Sequence, residues 1–382
     1  MDTKRKRIAI LFTYVVQDWI GGGNYMASIV HALNTLPDTE KPMLLLVYND
    51  ISKQWAEHID YPYLELSYQP VESVYKKYIK SYLTRTNQFI KDLIVRHDLD
   101  VVYPFNDYVG KIKTNVTCRY VAWFPDFQHK FYPAYFSKTN LWLRDFRLRR
   151  FVKKGTDLVL SSEDAASHLR HFYKIPPQLK VHVLPFVSMI DMDFLNLDGV
   201  LKKYNVPAKY FIVSNQFYKH KNHKVVFDAI VNLKAKQDDF LVVFTGKMED
   251  YRNPQYIDEL LAIIKNNGLE ANVRMLGVIP RKDQLWLMKN SLAVIQPSTF
   301  EGWSTVVEDA KTIQQQIILS NINVHQEQMG DRAFYFELHD AAGLAVIMEQ
   351  FITGQVTPKP LFTNYDERVR LFASRFAGLA GS

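Results

Sequence analysis

Short apolar runs recur along the chain, and between them apolar positions return every three or four residues, the spacing of a helix with one buried face. The runs predict strands at Ile8 to Phe12, Met43 to Tyr48, Val101 to Tyr103, Tyr120 to Phe124, Leu158 to Ser161 and Val181 to Leu184. After a stretch without strand character, "PFVSMIDMDFLNLDGVLKKYNVPAK", the rhythm restarts with Tyr210 to Val213, Phe240 to Thr245, Val273 to Leu276, Leu292 to Gln296, Ile317 to Ser320 and Phe334 to Phe336. Alternating strands and helices imply a parallel sheet covered on both faces. Two such series predict two doubly wound α/β domains, residues 1–190 and 191–382, with the extreme C-terminal helix free to pack back on the first. In sheets of this kind ligands bind beyond the carboxyl ends of the strands, so the loops after the strands are expected to hold the chemistry. A length of 382 residues agrees with two cores at about 150 residues per domain.

Composition changes this picture at three points. With 47% hydrophobic and 23% charged residues the chain has the balance of a folded protein. Its single cysteine, Cys118, excludes an internal disulfide and any multi-cysteine metal site, which suits a reducing, cytoplasmic setting. No apolar run approaches the ~20 residues that span a bilayer. The net charge of +7 is one-sided: residues 1–190 carry 26 basic and 18 acidic side chains, the remainder 21 and 22. A basic first half suggests an anionic partner. Its densest piece, residues 138–155, "KTNLWLRDFRLRRFVKKG", has seven basic residues, one acid, and Trp142, Phe146, Leu148 and Phe151 interleaved. That pattern suits a helix lying on an anionic membrane surface, or else an ordinary surface helix whose aromatics pack on the sheet.

Three loops carry candidate chemistry. After the first strand, "WIGGGNYMASIVHAL" places Gly21, Gly22 and Gly23 where a helix opens, and glycines there let backbone amides approach a phosphate closely. After the first strand of the second series, "VSNQFYKHKNHKVVFDAI" crowds Lys219, His220, Lys221, His223 and Lys224 into one loop, with Lys221 the chosen phosphate partner. His220 and His223 lack a third ligand of suitable spacing for a metal. In "PSTFEGWSTVVEDAK" an acid, Glu301, sits beside Gly302, and a helix begins near Ser304 with Val306, Ala310 and Ile313 on its buried face. The amides of Trp303, Ser304 and Thr305 are expected to point at a diphosphate. Asp309 lies one turn after Thr305 and Glu308 about 100° round, so only one of these acids faces the ligand. A carboxylate beside a phosphate site makes sense if the ligand also carries hydroxyls, as a nucleotide sugar does. The "DMD" at Asp191 to Asp193 falls in the linker and is read as chance, not as a metal motif.

Here the residues carry a resemblance. "STFEGWSTVVEDAK" resembles the E-x7-E signature of retaining glycosyltransferase family 4, with Glu301 and Asp309 at the two acidic positions. "GGGNYMASIVHAL" is similar to that family's N-terminal glycine loop, "WFPDFQHKFYP" to its histidine region with His129, and "SNQFYKHKNHKVVFDAI" to its G-R-x4-K phosphate motif. "LSNINVHQEQMGDRAFYF" resembles the segment that follows E-x7-E. The matches span residues 8–337 in the family's order. The resemblance implies a GT-B fold, two Rossmann-like domains facing each other across a cleft, the first binding acceptor and the second the nucleotide sugar.

It also implies roles. Lys221 binds the donor pyrophosphate, Glu301 holds hydroxyls of the transferred sugar, Asp309 accepts from the ribose, and His129 approaches the sugar from the N-terminal domain. Gly21, Gly22, Gly23, Asn215, Gln216, Gly302, Trp303, Ser304 and Thr305 complete the donor site. Gln216 departs from the pattern, standing where an arginine is expected, and Lys219 or His220 is the candidate replacement for the missing charge. The implied reaction transfers a sugar, with GDP-mannose or a UDP-sugar in view, to a glycan or lipid-linked oligosaccharide with retention, as in surface polysaccharide or lipopolysaccharide biosynthesis. No cofactor, obligatory metal or nucleic acid is implied. The expected location is the cytoplasm, including the inner face of its membrane. The alternatives are a catalytically silent GT-B subunit that binds nucleotide or a partner, or a GT-B sugar-nucleotide epimerase.

Overall fold

The computed structural model describes residues 5–14, 20–71, 76, 80, 81, 83, 86–105 and 115–380. The chain forms two compact units, one of Met1–His129, Ser137–Met189 and Asp366–Ser382, the other of Lys130–Phe136 and Ile190–Tyr365.

The first unit is a parallel sheet of seven strands: β1 (Arg7–Leu11), β2 (Met43–Tyr48), β3 (Leu64–Tyr68), β4 (Val101–Tyr103), β5 (Arg119–Phe124), β6 (Asp157–Leu160) and β7 (Lys180–Val183). Their order is β3-β2-β1-β4-β5-β6-β7. The strands foreseen from apolar runs occur within a residue of their expected ends, because a strand buried on both faces reads as a continuous apolar run. β3 escapes that signal. It is "LELSY", an edge strand between Pro62 and Pro70, half exposed, with Glu65 paired to Arg7 at 3.3 Å. The chain's end belongs here: Phe376 meets Tyr103 edge-on at 5.0 Å, and Arg119 Nη1 donates to the Leu379 carbonyl at 2.8 Å.

The basic segment is the helix Lys138–Lys154, capped by Ser137 Oγ, which accepts from the Asn140 amide at 3.2 Å. It divides its aromatics. Leu148, Phe151 and Val152 join the core with Leu158 and Leu160, whereas Trp142 and Phe146 stack on each other at 5.2 Å while 63% and 46% exposed. Among the described residues no helix is long and apolar enough to cross a membrane.

The second unit has six parallel strands, β8 (Tyr210–Ser214), β9 (Leu241–Thr245), β10 (Val273–Gly277), β11 (Val294–Gln296), β12 (Ile317–Ser320) and β13 (Phe334–Phe336), in the order β10-β9-β8-β11-β12-β13. Alternate residues of each strand feed opposite layers, as the two-residue period requires. Phe211, Val213, Phe244, Ile295 and Ile318 face one helical layer; Tyr210, Ile212, Val243, Val294, Ile317 and Leu319 face the other. In both sheets strand order reverses direction at the first strand, β1 or β8, which is the switch point where loops diverge and leave a crevice. The linker holds a short 3-10 turn, Met192–Asn196, and a short helix, Val200–Tyr204.

Candidate functional site

The site of the second unit grows from two neighbouring strands, β8 and β11, which pair through Ile212 and Val294. Beyond β8, residues 215–218 lead to a 3-10 turn, Lys219–Lys221. Asn222, at φ 54°, then turns the chain into the helix His223–Lys234; an asparagine tolerates that left-handed conformation, and its Nδ2 donates to the Leu338 carbonyl at 2.9 Å. Gly246, just after β9, has φ 129°, and a Cβ there would lie 2.1 Å from the Asn215 carbonyl oxygen, so only glycine lets the β9 loop pass this close to the β8 loop. The β11 loop is fastened to the same place by the Thr299 amide, which donates to the His220 carbonyl at 2.8 Å.

These fastenings bring Lys221 and Glu301 together. Lys221 Nζ lies 2.5 Å from Glu301 Oε1, with the side chains 18% and 10% exposed. Gln296, fully buried at the end of β11, is the hub beneath them. Its Oε1 accepts from Asn215 Nδ2 at 2.5 Å, and its Nε2 lies 2.9 Å from Glu301 Oε1, 3.0 Å from Ser304 Oγ and 3.2 Å from Ser298 Oγ. Carboxylate oxygens accept hydrogen bonds, which suits hydroxyl recognition.

The helix after the site is Thr305–Thr312, with Ser304 as N-cap. The row of amides expected there is interrupted, because the Ser304 amide donates to Gln328 Oε1 at 3.0 Å. Ala310 and Ile313 are in the core as expected, joined by Val307, with Val306 packed partly buried against them, and both acids are buried as well. Glu308 is fully buried, receiving Lys311 Nζ at 2.6 Å, Gln328 Nε2 at 3.1 Å and the Tyr365 hydroxyl at 2.9 Å. Asp309 does not present an open carboxylate as expected. It is 1% exposed, and Arg281 Nη2 lies 2.6 Å from its Oδ1.

Gln216 is half-buried, Gly302 and Thr305 half-buried, and Trp303 buried with Lys311 Nζ 5.4 Å from its ring centroid. His220 cannot replace the missing arginine charge: burial, then the nearby cations Lys221 and Arg252, hold its ring well below the usual range and so neutral. Lys219 is exposed, and its amide is bound to Asp250 Oδ2 at 2.9 Å. His223 is buried and stacked on Phe217 at 4.2 Å, with burial pushing it down to about 3. His325, whose Nδ1 lies 2.9 Å from the Ser320 carbonyl oxygen, is pushed down by burial to about 4, the Glu301 charge opposing that shift. Asp191 caps the Asp193 amide at 3.1 Å, and Asp193 pairs with Lys282, so "DMD" serves the linker turn. Among the described residues no group of three or more His, Cys, Asp or Glu could hold a metal ion.

In the first unit Gly21, Gly22 and Gly23 lie in the first turn of the helix Ile20–Asn34, and residues 15–19 before it are outside the described set. Gly23 has a packing role: a Cβ there would come 2.3 Å from the Trp55 ring, whose Nε1 donates to Asn24 Oδ1 at 3.0 Å. His129, in the short helix Gln128–Phe131, is 2% exposed and packs against Phe124 and Phe127, at 6.1 and 6.5 Å between centroids. Its ring is thus a core ring of its unit.

Sequence reasoning missed Gln296, Gln328, Arg281 and Gln284. Gln296 alone had a signal, an amide closing an otherwise apolar strand in "AVIQPS".

Residues 202–369 match the family model described as Glycosyl transferases group 1. The match runs from within the helix Val200–Tyr204 to the start of the last helix, Tyr365–Gly378, and so contains Lys221, Glu301, Arg281 and Asp309. No curated protein matches the sequence. Solved structures similar to the whole chain include a glycosyltransferase from Rickettsia africae (15% identity, covering 98% of this chain and 94% of that one, TM-score 0.64). Anabaena HepE in complex with UDP and glucose is similar at 17% identity, 97% and 95% coverage and TM-score 0.65. Sucrose-phosphate synthase from Thermosynechococcus elongatus is similar at 13% identity, 98% and 96% coverage and TM-score 0.67. At such identities the likeness is one of fold, the paired Rossmann-like domains of GT-B glycosyltransferases, as expected from the sequence.

Proposed function

We propose that the chain is a retaining glycosyltransferase of the E-x7-E type that moves a sugar from a nucleoside diphosphate donor to a glycan or lipid-linked acceptor. The Lys221–Glu301 ion pair at the switch point carries this reading. In the free protein each side chain neutralises the other. A donor diphosphate offers Lys221 a stronger anionic partner, and Glu301, released, turns its oxygens to hydroxyls of the sugar beyond the phosphates. Lys221 then stabilises charge on the departing diphosphate. The anomeric carbon to phosphate oxygen bond breaks, the acceptor oxygen bonds to the same face of that carbon, and the acceptor proton passes to a donor phosphate oxygen. The HepE complex with UDP and glucose supports a uridine donor as the first to try.

A thermal-shift screen against nucleoside diphosphates and their sugars tests the donor. A cognate ligand at a hundred times its dissociation constant is expected to stabilise by about 2.7 kcal/mol. No shift with any nucleoside diphosphate would reject the reading. Binding without transfer across an acceptor panel would favour a silent nucleotide-binding subunit, which the loss of arginine at Gln216 and the covered Asp309 also suggest.

The reading extends to a membrane-bound acceptor. On the helix Lys138–Lys154 the exposed residues Lys138, Trp142, Phe146, Arg149 and Lys153 follow one another at helical spacing on one face, with cations on both sides of the stacked aromatic pair. Anionic headgroups match such a stripe, with the rings entering the interface. The protein is expected to float with vesicles containing phosphatidylglycerol and not with phosphatidylcholine alone. Equal behaviour with both would remove the membrane from the proposal.

A further inference from the structure

The second acid of the signature is hidden, and its partner is not. Asp309 is 1% exposed, whereas the Arg281 side chain bound to it is 39% exposed. Arg281 opens the helix Arg281–Lys289 beyond β10, and its Nη1 donates to Gln284 Oε1 at 2.9 Å. Gln284 Nε2 in turn donates to Ser214 Oγ, at the end of β8. Ser214 adjoins Asn215, the first member of the network under Glu301. Two ion pairs therefore flank the carboxyl end of β8, Lys221 with Glu301 and Arg281 with Asp309.

Resting on the donor reading above, we propose that Arg281 reads the ribose of the nucleotide and that Asp309 is a positioning residue acting through it. A nucleoside diphosphate sugar has two hydroxyl-bearing rings, one on either side of its diphosphate. Two charge-balanced pairs on either side of one strand end match that layout. A guanidinium has five N–H donors, and Asp309 and Gln284 engage two of them. Because Asp309 balances its charge, the outward donors suit neutral hydroxyl oxygens better than a second phosphate. The planar fork meets two vicinal oxygens at once, which a lysine could not do.

Titration calorimetry with UDP, GDP and ADP and with their 2′-deoxy forms tests the assignment. The wild type is expected to prefer the cognate ribonucleotide by roughly tenfold, the loss caused by leaving a charged donor without its acceptor. Arg281→Gln is expected to bring that ratio close to one. Arg281→Lys, which keeps a cation against Asp309, retains the fold and part of the preference. Asp309→Asn narrows the ratio without removing Arg281. An Arg281→Gln protein that still distinguishes ribose from deoxyribose as the wild type does overturns this inference alone, as does a wild type that binds nucleotide without distinguishing them. A wild type that binds no nucleoside diphosphate overturns the donor reading, and the role of Arg281 with it.

Discussion

Replacing Lys221 with methionine is expected to lower kcat/KM for sugar transfer by about a hundred- to a thousand-fold, the usual loss when one preorganised charge at the leaving group is removed. Methionine keeps most of the side chain's volume, so the change isolates the charge. In the free protein it also leaves Glu301, only 10% exposed, facing Gln296 without its cation. That is expected to cost about 1–3 kcal/mol of stability. Adding Glu301→Gln should restore most of the stability, since a neutral amide needs no cation, but none of the transfer. The two quantities thus separate, one read by urea unfolding and the other by initial rates. A Lys221→Met protein that transfers sugar within a few-fold of wild type would mean that the diphosphate is stabilised elsewhere.

The largest effect on stability is expected from Lys311. Its ammonium and the Glu308 carboxylate are both fully buried, 2.6 Å apart. Lys311 also lies 5.4 Å from the centroid of Trp303 and 5.1 Å from that of Phe362. Removing one member of a buried pair leaves an uncompensated charge in a medium that solvates it poorly, at a cost of about 3–5 kcal/mol. Lys311→Met should therefore shift the urea midpoint of the second unit strongly downwards. Combined with Glu308→Gln it should shift it much less, because Gln328 and the Tyr365 hydroxyl can both serve a neutral amide. Equal losses in the single and double variants would show that the pair is not coupled. Since Glu308 supports the helix that carries Asp309, its role is to hold the site's frame.

Part of the site was legible in advance. Lys221 and Glu301 were singled out because a basic loop after one strand and an acid beside a glycine after another are placed by topology at the same sheet edge. Asp309 was assigned by helical angle and by its place in the E-x7-E resemblance, and neither shows what covers a carboxylate. Val307 joins Ala310 and Ile313 in the core, and Glu308 and Asp309 are buried against side chains that include Gln328, Tyr365 and Arg281 from other segments. His220 was offered as a compensating cation, yet it lies where burial keeps its ring neutral. Gly23 was read for its backbone freedom, whereas Trp55 occupies the space a side chain would need.

By itself the sequence determined the strands, their parallel arrangement and the break between two series. Those follow from local periodicity and from the need to bury both faces of each sheet, apart from β3, which is half exposed at an edge. Only the tertiary structure decided which charges meet. Lys221 and Glu301 are 80 positions apart and Arg281 and Asp309 are 28 apart, so no periodicity relates them. Whether a carboxylate is open to a ligand or covered by a guanidinium depends on how helices from different segments rotate as they pack, a choice made by the volume of the core between them.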